Sequence, residues 1–257
     1  MKRRKEAASR HYGAPFLRSV ETLPERVVPD QHPFDIPAFQ GGIRLSFDTN
    51  VTLFVGENGS GKSTLLEAIA TCCGFGITGG HRDHQFKVED PRTELGRALK
   101  LSWLPKVSDG FFLRAESFFN LATYLDEVSN LERYGGKSLH AQSHGESFLA
   151  LFVHRFEQGI YILDEPEAAL SPARQLSFLR IIHELEKPGQ AQFLISTHSP
   201  ILLAYPGAKL LSLDGGRIEA VKYEETQHYQ ITRQFLECPE RFLKHLFDDS
   251  PEGEPDA

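Results

Sequence analysis

One octapeptide, Gly56-Glu57-Asn58-Gly59-Ser60-Gly61-Lys62-Ser63, restricts what this chain can fold into more than any other feature. It fits the pattern G-x-x-x-x-G-K-[ST], and its setting matters as much as its letters. Before it runs Val51-Thr52-Leu53-Phe54-Val55, an apolar β-branched segment; after it runs Thr64-Leu65-Leu66-Glu67-Ala68-Ile69-Ala70, with helical patterning. A strand, a glycine-rich loop and a helix in that order form a cradle for phosphate. The glycines let successive N–H groups curl inward, and the helix N-terminus adds partial positive charge. In such a cradle Lys62 meets β- and γ-phosphates and the Ser63 hydroxyl reaches Mg²⁺. The residues expected to touch the ligand are Glu57, Asn58, Gly59, Ser60, Gly61, Lys62, Ser63 and Thr64.

Around this loop the chain alternates short β-type runs with helical patterns, which predicts an α/β fold. Strands are expected at Phe16–Val20, Ile43–Phe47, Val51–Val55, Leu99–Trp103, Phe111–Arg114, Ile160–Leu163, Gln192–Ser196, Lys209–Leu213 and Arg217–Val221, the last entered through a tight Asp214-Gly215-Gly216 turn. Helices are expected to begin at Lys62, Glu116, Gly145, Pro172 and Thr226, with Ser171 able to cap the one at Pro172. The stretch from Gly74 to about Arg97 reads as a loop. At 257 residues the chain suits one core or one core with a small lobe. The expected division is a basic arm at 1–15, one domain at 16–247 and an acidic tail at 248–257.

Composition removes several function classes. With 40% hydrophobic and 25% charged residues the chain reads as an ordinary soluble domain, and no run nears the roughly 18 apolar residues of a membrane span. No apolar run follows the basic start, so no secretory signal is expected. A net charge of −7 argues against a whole-surface nucleic-acid binder, though not against a local basic patch. Cys72, Cys73 and Cys238 lack zinc spacing and read as buried, reduced thiols of a cytoplasmic protein.

Two further strand ends carry chemistry. Gly159-Ile160-Tyr161-Ile162-Leu163-Asp164-Glu165-Pro166 is a buried-strand pattern ending in adjacent carboxylates. Neighbouring strand residues point to opposite faces, so Asp164 suits the Mg²⁺ shell and Glu165 suits a general base acting on water. Phe193-Leu194-Ile195 ends in Ser196-Thr197-His198-Ser199-Pro200, where His198 could reach a γ-phosphate. Gln142-Ser143-His144-Gly145-Glu146-Ser147 lies between the phosphate loop and the acidic pair. Ser143-x-x-Glu146 is a capping-box pattern, and a capped, glycine-containing helix start also binds anions.

In order and spacing these four motifs resemble those of ABC-type P-loop ATPases, over roughly Phe16 to Val221. Ser143 and Gly145 match the signature L-S-G-G-Q, while Gln142, His144 and Glu146 depart from it. Asp164-Glu165-Pro166-Glu167 and Ser196-Thr197-His198-Ser199-Pro200 look less like transporter sequences than like the compact soluble SMC/RecF-like group labelled "predicted ATPase". The resemblance implies a mixed sheet flanked by helices, with a small antiparallel β part and a short helical subregion. It implies ATP and Mg²⁺ as ligands, and an ATP-dependent homodimer in which Ser143, Gly145 and Glu146 meet the ATP held by the partner's phosphate loop. Ala169-Leu170-Ser171 would face the partner subunit. The position of the family's glutamine loop falls at 111–118, where Glu116 is the first substitute and further metal contact, and Arg114 the second. Phe47 is one candidate for stacking on adenine. The guanine-specific N-K-x-D pattern is absent, which favours ATP. Two roles stay open: an ATP-driven switch acting on a protein or nucleic-acid partner, and the nucleotide-binding subunit of an ABC transporter.

Overall fold

The computed structural model describes residues 13–76, 92–114, 149, 152 and 158–247. Glu116, Ser143, Gly145 and Glu146, residues 1–12 of the arm, the 248–257 tail and the helix starts at Glu116 and Gly145 lie outside the described residues. The described strands are β1 (Leu17–Thr22), β2 (Arg44–Ser46), β3 (Val51–Val55), β4 (Leu99–Trp103), β5 (Gly110–Arg114), β6 (Gly159–Asp164), β7 (Ala191–Ser196), β8 (Lys209–Ser212) and β9 (Glu219–Ala220). The described helices are α1 (Lys62–Cys73), α2 (Glu94–Ala98), α3 (Pro172–Glu186), α4 (Pro200–Leu203), α5 (Gln227–Glu237) and α6 (Pro239–Phe247).

Two sheets organise these elements. The larger runs β5-β6-β7-β3-β8-β9, parallel except for the antiparallel edge strand β9; the smaller is antiparallel, in the order β2-β1-β4. This is the mixed sheet with a small antiparallel β part that the sequence led us to expect. The period-2 rule explains how the larger sheet is covered. Val51, Leu53, Val55, Phe111, Leu113, Tyr161, Leu163, Phe193 and Ile195 share one buried cluster with Phe178 and Ile182 of α3. Their neighbours Phe54, Phe112, Ile160, Ile162 and Leu194 fall in a second cluster with Leu65, Leu66 and Ile69 of α1 and Leu17, Val20 and Leu45 of the small sheet. Strands β3, β6 and β7 are therefore buried on both faces.

A polar side chain ties the small sheet to the large one. Gln192, fully buried in β7, accepts from the N–H groups of Phe16 and Leu17 at 2.8 Å each and donates to the Leu17 carbonyl at 3.0 Å. Three main-chain groups near the start of β1 are thus satisfied by one amide, as burial requires.

Several expectations need correction. Glu94–Ala98 is a short helix rather than loop, started by Thr93, whose hydroxyl accepts from Gly96 N at 3.0 Å. Five residues are too few to show a helical period. Ser171 occupies the N-cap of α3 and Pro172 its first position, but the Ser171 side chain accepts no cap bond. Thr226 does cap α5, accepting from Tyr229 N, and a second helix follows after Cys238, where Pro239 cannot continue the first. Cys73 is buried, Cys72 half-buried and Cys238 exposed, so the expectation of buried thiols fails at Cys238. Among the described residues, no helix is long and apolar enough to cross a membrane.

Candidate functional site

The chemistry-bearing residues gather where the parallel strands end, the usual place for a ligand on an open α/β sheet. Register puts Arg114 beside Asp164, Asp164 beside Ser196, and Ser196 beside Phe54, so β5, β6, β7 and β3 finish in one row. From that row the chain leaves β3 into the glycine loop, β6 into Glu165 and β7 into His198. Strand β8 leaves the adjacent row at Ser212 toward Asp214.

The glycine loop is shaped from both sides. Gly61, at φ 102°, ends it in the left-handed region, and a Cβ there would come 2.8 Å from the Phe39 ring and 3.1 Å from Ile36. Only glycine accommodates both the dihedral and the packing. On the other side Asp214 accepts from Glu57 N at 2.9 Å. No side chain caps α1 at Gly61. Lys62 is buried, and its Nζ donates to the loop carbonyls of Gly56 (2.8 Å) and Glu57 (3.1 Å). Burial pushes its ammonium below the ordinary lysine value, while Glu165, Asp164, Asp214 and Glu57 oppose that. An anion beside Lys62 would relieve the same penalty.

Asp164 is the hub. Its Oδ1 accepts from the hydroxyls of Ser63 (3.1 Å) and Ser196 (2.5 Å), and its Oδ2 lies 3.5 Å from Arg114 Nε. Arg114 also contacts Glu67 on α1 through Nη1 at 2.5 Å. Burial raises the Glu67 carboxyl, Asp164 adds to that, and Arg114 works against it.

Glu165 does not diverge from Asp164 by strand alternation, as the sequence suggested. It stands just past β6 at φ 50°, ψ 53°, one of two non-glycine residues in the described chain with positive φ. That conformation is uncommon for a side-chain-bearing residue and costs about 1 kcal/mol or more. It turns the carboxylate into the cleft. His198 comes to it from β7, with Nε2 3.3 Å from Glu165 Oε1. This Nε2 is buried and has no hydrogen-bond partner of its own. The His198 N–H donates to Glu167 Oε1 at 2.6 Å, and Nδ1 lies 2.7 Å from His228 Nε2.

A cleft of about 480 Å³ opens here, lined by Asn58, Gly59, Gly61, Lys62, Ser63, Thr64 and Glu165, and by His32, Asp35, Ile36 and Pro37. Of the predicted loop residues, Glu57 and Ser60 fall outside this lining; Ser60 Oγ is buried and unpartnered. Phe47 is buried in the second core cluster, away from the cleft lining, and offers no platform there. Sequence reasoning missed the 32–37 wall, Asp214 and His228. The wall has neither periodicity nor motif, and Asp214 read only as a turn residue.

The donor set fits the expected ligands. Ser63 Oγ and Asp164 Oδ1 are two oxygens 3.1 Å apart, close to the roughly 3 Å separation of adjacent ligands around an octahedral Mg²⁺ with bonds of 2.0–2.1 Å. No group of three or more His, Cys, Asp or Glu that could hold a metal stands among the described residues. The other ligands of such an ion would be phosphate and water oxygens, the usual arrangement for Mg²⁺.

The parallel strands, the glycine-rich loop running into α1 and the acidic pair at the end of β6 together form a cradle suited to phosphate. Two family models match the sequence, one described as "AAA domain" over residues 36–128 and one as "AAA domain, putative AbiEii toxin, Type IV TA system" over residues 140–204. Among solved structures the chain is similar to an SmcHead bound to the C-winged helix domain of ScpA, at 14% identity and a TM-score of 0.50, covering 80% of this chain and 98% of that one. It is also similar to the SMC head domain from Thermotoga maritima (17%, TM-score 0.45, 80% and 98%) and to MJ1267, an ATP-binding cassette of an ABC transporter in its ADP conformation (15%, TM-score 0.44, 90% and 99%). At such identities the likeness concerns the fold alone. No curated protein matches the chain.

Proposed function

We propose that this chain binds ATP with Mg²⁺ in the cleft beside Lys62 and hydrolyses it to ADP and phosphate. The observation that carries the reading is the convergence on one cleft of Lys62, Ser63 and Glu165, with Asp164 3.1 Å from Ser63. Glu57 to Thr64 wrap the phosphates, and Lys62 neutralises charge on the β- and γ-phosphates. Ser63 and Asp164 would hold Mg²⁺, which supplies further charge neutralisation at those oxygens when bound. Glu165 takes a proton from water as its oxygen attacks the γ-phosphorus and the bond to the bridging oxygen of ADP breaks. His198, through Nε2–H, donates to a γ-phosphate oxygen.

One catalytic unit would span 16–247, with the basic arm at 1–15 and the acidic tail at 248–257 as appendages. Two copies would enclose ATP head to tail, with Ser143, Gly145 and Glu146 of each copy meeting the other's nucleotide and Glu116 a further metal contact. Hydrolysis would then open the dimer, making the protein a nucleotide-driven switch on a protein or nucleic-acid partner. Arg114, already 3.5 Å from Asp164, supports the idea that the end of β5 senses the metal site.

Phosphate release from the purified chain with Mg²⁺ and ATP tests the reaction. Calorimetry on Lys62→Ala tests the cleft, because removing a charge-assisted phosphate contact should weaken ATP binding greatly. Unchanged affinity would overturn the phosphate-cradle reading. Turnover appearing only after reconstitution with a transmembrane protein would replace the switch by a transporter subunit.

A further inference from the structure

His228 is the second residue of α5, thirty positions beyond His198, yet their ring nitrogens meet at 2.7 Å with ring centroids 4.9 Å apart. Two neutral imidazoles that face each other through one nitrogen apiece can share one proton between them, and which ring donates is set by their surroundings. The other nitrogen of His198 decides it. Nε2 lies 3.3 Å from a Glu165 carboxylate oxygen, where a bare lone pair would be repelled and an N–H attracted. With a proton on Nε2 alone, His198 would accept at Nδ1 and His228 Nε2 would donate. His228 Nδ1, buried and without a hydrogen-bond partner, would then be the unprotonated nitrogen.

Resting on the ATPase reading above, we propose that His228 is a positioning residue for the reaction. Its Nε2–H holds the His198 ring in the Nε2–H tautomer, with that N–H turned toward Glu165 and the γ-phosphate of bound ATP. Without the bond, the His198 ring could rotate or move its proton to Nδ1, presenting a lone pair to two anionic groups. The neutral ring this needs is favoured at His228, where burial first, then His198, pushes the imidazolium below the ordinary histidine value, against the pull of Glu57 and Asp214. Its place is fixed independently of His198. The Tyr223 hydroxyl donates to the Pro200 carbonyl at 2.9 Å, tying the approach to α5 to the segment that follows His198. Thr226 caps the helix two residues before His228. The main chain of His198 is held separately by Glu167, so His228 controls the ring rather than the loop.

The test compares two variants and reads the tautomer directly. His228→Phe keeps a ring of similar size and removes the donor. His228→Gln keeps an N–H donor at about the same reach but cannot act as an imidazole. His228→Phe should lower kcat by about tenfold or more while leaving the Kd for ATP within about twofold, the signature of a contact that acts in the transition state. His228→Gln should restore kcat to within about threefold of the unsubstituted chain. Nitrogen-15 spectra of histidine-labelled protein should show His198 as a single Nε2–H tautomer, becoming a mixture in His228→Phe. Equal kcat in His228→Phe and the unsubstituted chain, or equal losses in the two variants, would overturn the proposal. So would a His198 that is Nδ1–H in the unsubstituted protein. The spectra need no turnover, so a chain without ATPase activity would remove the functional reading and still leave the tautomer assignment decided.

Discussion

The backbone N–H of His198 points at Oε1 of Glu167 from 2.6 Å, joining the turn after β7 to the turn after β6. Directly after Asp164-Glu165-Pro166, the chain thus places an acid that accepts a main-chain hydrogen bond. The cost shows at the other oxygen, Oε2, which is buried with no partner.

That cost gives a pH-dependent expectation. Burial raises the Glu167 carboxyl above its ordinary value, outweighing the hydrogen bonds that lower it. A carboxyl raised in the folded state contributes stability that is full below its unfolded value, about 4.5, and is lost as pH rises through the folded value. Glu167→Gln keeps an oxygen for His198 N–H and removes the buried charge. Its Tm should exceed that of the unsubstituted chain at pH 7–8, with the gap narrowing as pH falls toward 4.5. A Tm below the unsubstituted chain at pH 8 would show that the charged form is the favoured partner of His198.

Two glycines of the phosphate loop should respond differently to alanine. Gly59 has φ 82° with nothing within 4 Å of an added Cβ, so Gly59→Ala should cost about 1–2 kcal/mol for the left-handed backbone alone. At Gly61 the same backbone cost is joined by the 2.8 Å approach to the Phe39 ring. Gly61→Ala should lose a further 1–3 kcal/mol, roughly the overpacking range. Urea unfolding of both variants measures the difference, and equal midpoints would mean the Phe39 wall yields freely.

Gln192→Leu should be among the more damaging substitutions outside the cleft. It leaves the N–H groups of Phe16 and Leu17 and the Leu17 carbonyl without their buried partner. At about 1–3 kcal/mol for each unsatisfied group, the loss should reach about 3 kcal/mol or more. Denaturant titration checks it; a loss under about 1 kcal/mol would mean that water reaches the start of β1.

Legibility in the sequence followed the range of the forces involved. Val51–Val55 and Leu99–Trp103 were read at their observed ends, because β-branched and aromatic runs bounded by breakers carry a local signal. Lys62, Ser63, Asp164, Glu165 and His198 stood out in the sequence because the first two open the helical pattern after the glycine-rich loop and the other three end or follow a strand with its own pattern. The left-handed Glu165 was not, since nothing in Leu163-Asp164-Glu165-Pro166 marks a positive φ. The His32–Pro37 wall belongs to a stretch of 3-10 and irregular turns held by contacts such as Phe39 against Gly61. The His198–His228 and Gln192–Leu17 contacts span 30 and 175 positions. Such pairings exist only once the sheet has formed, and a residue-by-residue reading has no access to them.

The dimer is the part of the reading that a variant pair can test most directly. Glu165→Gln keeps the carbonyl oxygen and the shape of the side chain but cannot take the proton from water. It should bind ATP with Mg²⁺ and turn over about 10²–10⁴-fold more slowly. If ATP joins two copies and hydrolysis separates them, this variant should collect as an ATP-bound dimer in light scattering, while the ADP form stays monomeric. Ser143→Arg, placed on the same background, puts a long cationic side chain at the first position of the Ser143-x-x-Glu146 pattern. A helix start that meets the partner's γ-phosphate cannot do so with that side chain in place, yet the copy's own Lys62 and Ser63 are untouched. The double variant should therefore bind ATP by calorimetry with near-unchanged affinity and remain monomeric. If it still dimerises, Ser143 is a helix cap and nothing more. If it loses ATP binding as well, the segment acts on its own copy's nucleotide and the head-to-tail arrangement falls.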